Sequence, residues 1–341
     1  MLTPIFHAWE RWLAAASDGE RTVRQFEWGL DWIPRDGQDR SASPETILDA
    51  WVDRAMADSG RFYDTPPISD YELDGEWLRF PSAFTTPHPE NNTVHARLFP
   101  AAIDRARGRP RRAVLVLPQW NADDEGHVGL CQVLARFGLT ALRLSLPYHD
   151  RRMPPELARA DYIVSANIGR TAQVCRQAVM DSRRALAWLA SQGYERLGIL
   201  GTSLGSCLAM LTAAHEPLVR AAALNHISPF FADVVWEGLS TSHVRKGLNG
   251  HVDLERLRRF WLPISPQPFL ERMRDTRTLL VYARYDLSFP VHLSQELVDD
   301  FRRRGIDHEV FVLPCGHYST GISPFKWLDG YALTKFLVKN L

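Results

Sequence analysis

A chain of 341 residues, 45% hydrophobic and 23% charged, is long enough to bury a large core and ordinary enough in composition to be globular. Its 40 Lys and Arg balance its 40 Asp and Glu, which removes the electrostatic case for a nucleic-acid or an acidic partner. No uncharged apolar window of about 18 residues occurs, so no membrane-spanning helix is expected.

The N-terminal stretch MLTPIFHAWERWLAAAS has no basic region ahead of an apolar one, and Glu10 and Arg11 interrupt it, so no secretory leader is expected. It is amphipathic and carries tryptophans. Packing on the body of the protein is expected of it, ahead of contact with a membrane surface. Residues 1–70 read as a helical arm. Within it Ser43 and Pro44 open a helix that carries Ile47, Leu48, Trp51 and Val52, with Gly60 as its stop. Two short strands follow, EWLRFPSAF and TVHARLFPA, joined across HPENN as an antiparallel pair.

From Ala113 the pattern changes. AVLVLPQ, TALRLSLP, RLGILG, RAAALNHIS, TLLVYARYD and HEVFVLP are near-continuous apolar runs, the mark of strands buried on both faces. Helical segments separate them: residues 170–192 stopped by Gly193, a segment around Leu293–Phe301 stopped by Gly305, and a last one opened by Ser323-Pro324. Strands alternating with helices predict a mostly parallel sheet covered on both faces, with residues 71–341 as one α/β domain. Reactive groups on such a sheet gather at the carboxyl ends of its strands. Two connections are too long to be tight links, 147–170 and 230–276. The second is too apolar for disorder and reads as a cap or lid over about 231–275.

The four cysteines, Cys131, Cys175, Cys207 and Cys315, show neither a CxxC pair nor metal-ligand spacing. No disulfide framework, metal or cofactor is expected, and a reducing, cytoplasmic setting is.

Gly201-Thr202-Ser203-Leu204-Gly205 joins the RLGILG strand to the apolar run SCLAMLTAAH. A hydroxyl is a poor nucleophile at neutral pH and needs a base and oxyanion donors. A sharp strand-to-helix turn lifts the Ser203 oxygen above the sheet, and flanking glycines leave it room. The motif alone also fits a glycine-rich turn with a serine helix cap. Its setting, a buried strand before and a buried helix after, is the one the catalytic reading requires. A nucleotide-binding role fits poorly, because the segment lacks the lysine of a phosphate-binding loop and the spacing of a dinucleotide fingerprint.

These residues resemble the nucleophile elbow of the α/β-hydrolase superfamily, and the resemblance runs from about residue 75 to the end of the chain. It implies the α/β-hydrolase fold and a triad in the order Ser, acid, His. Asp286, just past TLLVYARY, and His317, just past the next strand, stand where the acid and the base would fall. Ser203 would attack an acyl carbonyl, His317 would carry its proton, and Asp286 would fix the imidazole. Taken singly, Asp286 also fits a helix cap or turn and His317 a loop histidine. One oxyanion donor would be the amide of Leu204. The second would come from Pro118-Gln119-Trp120-Asn121, where many members of the superfamily have His-Gly. Trp120 is favoured over Gln119, and Trp120 also fits plain core. The Asp123-Asp124-Glu125 patch reads as a solvated loop or first helical turn rather than a metal site.

Trp120, His149, His226, Phe230 and Trp236 are the expected substrate-binding residues. The expected partner is a small-molecule acyl substrate with an apolar portion. A serine esterase is the leading reading. A peptidase, a thioesterase, an acyltransferase and a non-catalytic binding or scaffold protein on the same fold are the alternatives.

Overall fold

The computed structural model describes residues 2–17, 21–34, 41–101 and 110–341. Among them the strands are β1 (Glu72–Asp74), β2 (Trp77–Pro81), β3 (Thr93–Phe99), β4 (Arg112–Leu117), β5 (Thr140–Leu144), β6 (Arg196–Thr202), β7 (Val219–Asn225), β8 (Arg277–Ala283) and β9 (His308–Leu313). They form one sheet in the order β1-β2-β3-β5-β4-β6-β7-β8-β9. The pairings of β1 with β2, β2 with β3 and β3 with β5 are antiparallel, and every pairing from β5 across to β9 is parallel.

The helices are α1 (Thr3–Ser17), α2 (Pro44–Ala57), α3 (Ser59–Phe62), α4 (Val128–Arg136), α5 (Ile168–Ser191), α6 (Leu204–His215), α7 (Phe231–Glu237), α8 (Ser242–Leu248), α9 (Leu254–Phe260), α10 (Val291–Arg303) and α11 (Phe325–Asn340). Successive side chains of a strand point to opposite faces, and β4 feeds both. Leu115 and Leu117 join the core packed by α5, α6 and α10, whereas Val114 and Val116 join the core packed by α4 and α11. The continuous apolar runs are thus the signature of a sheet sandwiched between two helical layers.

Local chemistry sets the boundaries. The Ser43 side chain accepts the Thr46 N–H to cap α2, with Pro44 in its first turn. The predicted stop at Gly60 is not where α2 ends. It ends at Ala57, and Asp58 recaps the chain by accepting the Arg61 N–H at 2.9 Å, so Gly60 lies inside α3. Strand β1 is absent from the sequence reading. It pairs with β2 across a turn at Gly75, whose φ of 60° suits glycine.

The two long connections differ in structure. Residues 147–167 wind through turns pinned from below: Arg152 pairs with Asp181 of α5 at 2.9 Å, both side chains fully buried. Residues 231–273 hold α7, α8, α9 and two 3₁₀ turns between β7 and β8. The N-terminal arm docks on this insertion: Arg259 of α9 pairs with Asp49 and Asp53 of α2 at 3.0 and 2.7 Å, and Tyr63 donates its hydroxyl to the Pro263 carbonyl at 2.7 Å. Among the described residues no helix is long and apolar enough to cross a membrane.

Candidate active site

Strand β6 ends at Thr202 and α6 begins at Leu204, so Ser203 alone makes the turn, at φ 57° and ψ −122°. A non-glycine residue there is strained. The strain is held by the Ser203 N–H donating to Asn225 O at 2.8 Å and by close packing on both sides. A Cβ on Gly201 would lie 2.1 Å from Gly205 O, and one on Gly205 would lie 2.3 Å from Leu117 O. Both glycines are therefore dictated by close approach of backbone to backbone. Ser206, which sequence reasoning did not single out, lies with its hydroxyl 2.7 Å from Ser203 O and 2.8 Å from His226 O, tying the elbow to the end of β7.

Asp286 follows β8 and is buried. Its Oδ1 accepts the amides of Ser288 and Phe289 at 2.8 and 2.7 Å. Its Oδ2 accepts from two imidazoles, His226 Nδ1 at 2.8 Å and His317 Nδ1 at 3.0 Å. Burial pushes the carboxyl pKa up. The charge of His317 and the hydrogen bonds from both histidines outweigh it and hold the group well below the ordinary carboxylate range. Burial likewise pushes His317 down, and the neighbouring charge of Asp286 reverses that to leave it above its usual value. His226 moves the other way, lowered by burial and by His317. Each imidazole uses Nδ1 on the carboxylate and so presents Nε2 elsewhere. The donor atoms of His226, Asp286 and His317 lie within 4.8 Å of one another, a set with metal-ligand chemistry, but a metal would have to displace the protons that now bridge them.

Ser203 opens onto a cavity that, with the open space at its mouth, spans about 430 Å³. Apolar side chains dominate its wall, among them Trp120, Leu204, Phe231, Val234, Val235 and Phe289. Spacing of three and four residues puts Phe231, Val234 and Val235 on one face of α7. That face forms one side of the wall, so the cavity takes these side chains and not Phe230 or Trp236, which lie under the guanidinium groups of Arg258 and Arg245. His226 is not on the wall either, being committed to Asp286. His149 is fully buried. Its Nε2 accepts the Asn121 N–H at 3.0 Å and its Nδ1 donates to Pro147 O at 2.9 Å, so it braces the loop after β4. Burial lowers its pKa to about 4, which keeps this neutral tautomer in place.

That loop carries Gln119 and Trp120. The Trp120 indole donates to Ala160 O at 2.9 Å and its ring stacks on His243, which fixes the side chain beside the cavity. Among the described residues none accepts a hydrogen bond from the amides of Gln119, Trp120 or Leu204. Trp120 and Leu204 border the cavity with Ser203, and Gln119 does not. His127, another residue missing from the sequence reading, places Nε2 2.9 Å from the hydroxyl of Thr202, next to Ser203. The structure contains no hydrogen bond between Ser203 Oγ and His317 among the described residues. Ser203, Asp286 and His317 nonetheless sit just beyond the carboxyl ends of β6, β8 and β9, in one region.

No family model and no curated protein sequence matches the chain. Solved structures do. Acylaminoacyl peptidase from Pyrococcus horikoshii superposes with a TM-score of 0.62 at 12% identity, over 80% of this chain and 42% of that one, so the chain spans about two fifths of the peptidase. Acetyl xylan esterase from Paenibacillus sp. R4 superposes with a TM-score of 0.61 at 16% identity, over 91% of this chain and 98% of the esterase. Acetyl xylan esterase 1 from Thermoanaerobacterium sp. JW/SL YS485 gives 0.59 at 14%, over 86% and 93%. All three are α/β-hydrolase superfamily members. With its single mostly parallel sheet, two helical layers and a strained serine between β6 and α6, the chain has the α/β-hydrolase fold.

Proposed function

We propose that the chain is a serine hydrolase that cleaves an ester or related acyl bond through an acyl-enzyme. The observation that carries this reading is the strained serine: Ser203 at φ 57° between two obligatory glycines, opening onto an apolar cavity. Backbone strain of this kind persists where the surrounding structure over-determines it, and it is concentrated at functional sites. The hydrogen-bonded Asp286–His317 pair supplies the base that a hydroxyl needs.

In this mechanism the Ser203 oxygen attacks the acyl carbonyl while His317 Nε2 takes its proton, and the amides of Leu204 and Trp120 receive the oxyanion. His317 then protonates the leaving group. Water repeats the sequence on the acyl-enzyme. Asp286 keeps the Nδ1–H tautomer and stabilises the imidazolium. The step requires Ser203 Oγ to come within about 2.6–3.2 Å of His317 Nε2 when substrate fills the cavity. The apolar wall formed by Phe231, Val234 and Val235 fits a small acyl substrate with an apolar portion.

A fluorophosphonate probe with mass-spectrometric mapping tests the reading. Labelling at Ser203, lost in Ser203→Ala, is expected. A folded wild type that takes no label would mean a binding protein on the same fold.

A further inference from the structure

Glu10 of helix α1 is wholly buried, although it stands in the N-terminal arm far from the sheet in sequence. Its Oε2 accepts the Tyr318 N–H at 2.8 Å and its Oε1 accepts the Ser319 N–H at 3.0 Å. These are the two residues that follow His317. On the other side of His317, a Cβ on Gly316 would lie 2.3 Å from Glu10 Cδ, so that residue is bare where the carboxylate enters. One helical turn earlier on the same face of α1, Phe6 stacks on Tyr285 with ring centroids 4.3 Å apart, and Tyr285 precedes Asp286. Arg21, also in the arm, donates to the Tyr318 hydroxyl at 3.1 Å. The arm thus touches the chain neighbours of both the acid and the base.

We propose that Glu10 is a positioning residue of the site, holding the His317 loop in register with Asp286 through two backbone amides, so that the N-terminal arm completes the catalytic constellation. The inference rests on the Ser203–His317–Asp286 reading. The groups that face His317 are Asp286, His226, Glu10 and Tyr318, with Arg21 reaching the cluster through the Tyr318 hydroxyl. Burial disfavours the imidazolium, while the charges of Asp286 and then Glu10 favour it. Without its carboxylate partner, the buried Ser319 amide is left unpaired, and the loop has reason to move.

The test uses the full chain with Glu10→Gln and Glu10→Asp. Glutamine keeps the shape, loses the charge and turns an N–H₂ toward a backbone donor. The rate of fluorophosphonate labelling at Ser203 and kcat on an ester should fall about 10- to 100-fold, the range that misplacement of a catalytic group produces. KM should change little. The acid limb of kcat/KM should move to lower pH, because His317 loses a neighbour that favours its charged form. Aspartate keeps the charge but is too short for both amides, so the rate should fall while the acid limb stays. Wild-type labelling rate per folded molecule with an unmoved acid limb in Glu10→Gln overturns the proposal, as does failure of both variants to fold, which would make Glu10 structural. Should Glu10→Gln alone not fold, a wild-type rate in Glu10→Asp overturns it. A wild type that takes no label at Ser203 fails the hydrolase reading itself. A labelled wild type with equally labelled variants fails only the role of Glu10.

Discussion

His226 and His317 face one another across a single carboxylate oxygen of Asp286, with ring centroids 4.5 Å apart. Two imidazoles on one oxygen cannot both be charged at little cost, and their environments separate them: His226 is pushed down and His317 up. His226 therefore acts as a neutral donor that draws off part of the Asp286 charge. His226→Leu, which has no donor, should return that charge to His317, so the acid limb of kcat/KM should move to higher pH, opposite to Glu10→Gln. The lost buried hydrogen bond should cost about 1–3 kcal/mol of stability. A pH–rate profile with a denaturant melt checks both, and an unmoved limb would show that His226 does not tune the pair.

Ser203→Ala should remove esterase activity by about 10⁶-fold, the scale on which nucleophile deletions act in serine proteases. The thermal midpoint should be almost unchanged, since only a hydroxyl bordering the cavity is lost. Asp286→Asn should slow turnover by about 10⁴-fold, as its counterpart does in the best-studied triad. Turnover numbers and melting curves for the two variants decide this together.

Gly205→Ala should be severely destabilising. Its Cβ would meet backbone oxygens of Leu117 and Pro118 at 2.3 and 2.5 Å, and backbone cannot rotate away as a side chain can. Overpacking of this kind costs about 3 kcal/mol or more. A denaturant midpoint equal to that of the wild type would mean that the elbow and β4 can part to admit a methyl group.

Asp329 on α11 should make stability fall with rising pH. Its Oδ2 accepts the Asn225 side-chain amide at 2.9 Å, while Oδ1 of each residue is buried without a partner. Burial raises its pKa to about 7. In the unfolded chain an aspartate titrates near pH 4, so between about pH 4 and pH 7 the folded state holds a proton that the unfolded state has released. Stability from this group is full below about pH 4, declines through that window and is flat above about pH 7. Asp329→Asn removes the titration. The variant should match the wild type near pH 4 and exceed it at pH 8, measured by urea melts at the two values.

The sheet was legible because strands buried on both faces must be apolar at every position, as β4 is, and that leaves a run no helix period can imitate. The elbow was legible because Gly201, Ser203 and Gly205 meet one geometric demand at fixed spacing. The contacts made through the arm were not. Glu10 reads locally as a charge that interrupts an apolar stretch, and only the loop 316–319, some three hundred residues away, gives it partners. His226 was assigned to substrate on its place after a strand, and what the sequence could not convey is that its φ of 57° turns it toward Asp286. The same holds for α7: Phe230 caps it and Trp236 lies near its end, but the phase of the helix decides that Phe231, Val234 and Val235 border the cavity.

The helical insertion forms one side of the apolar wall, and Arg259 ties it to Asp49 and Asp53 of the arm. The same arm, through α1, grips the loops of Asp286 and His317. The insertion beside the cavity and the loops of Asp286 and His317 thus share one set of supports, helices α2 and α1.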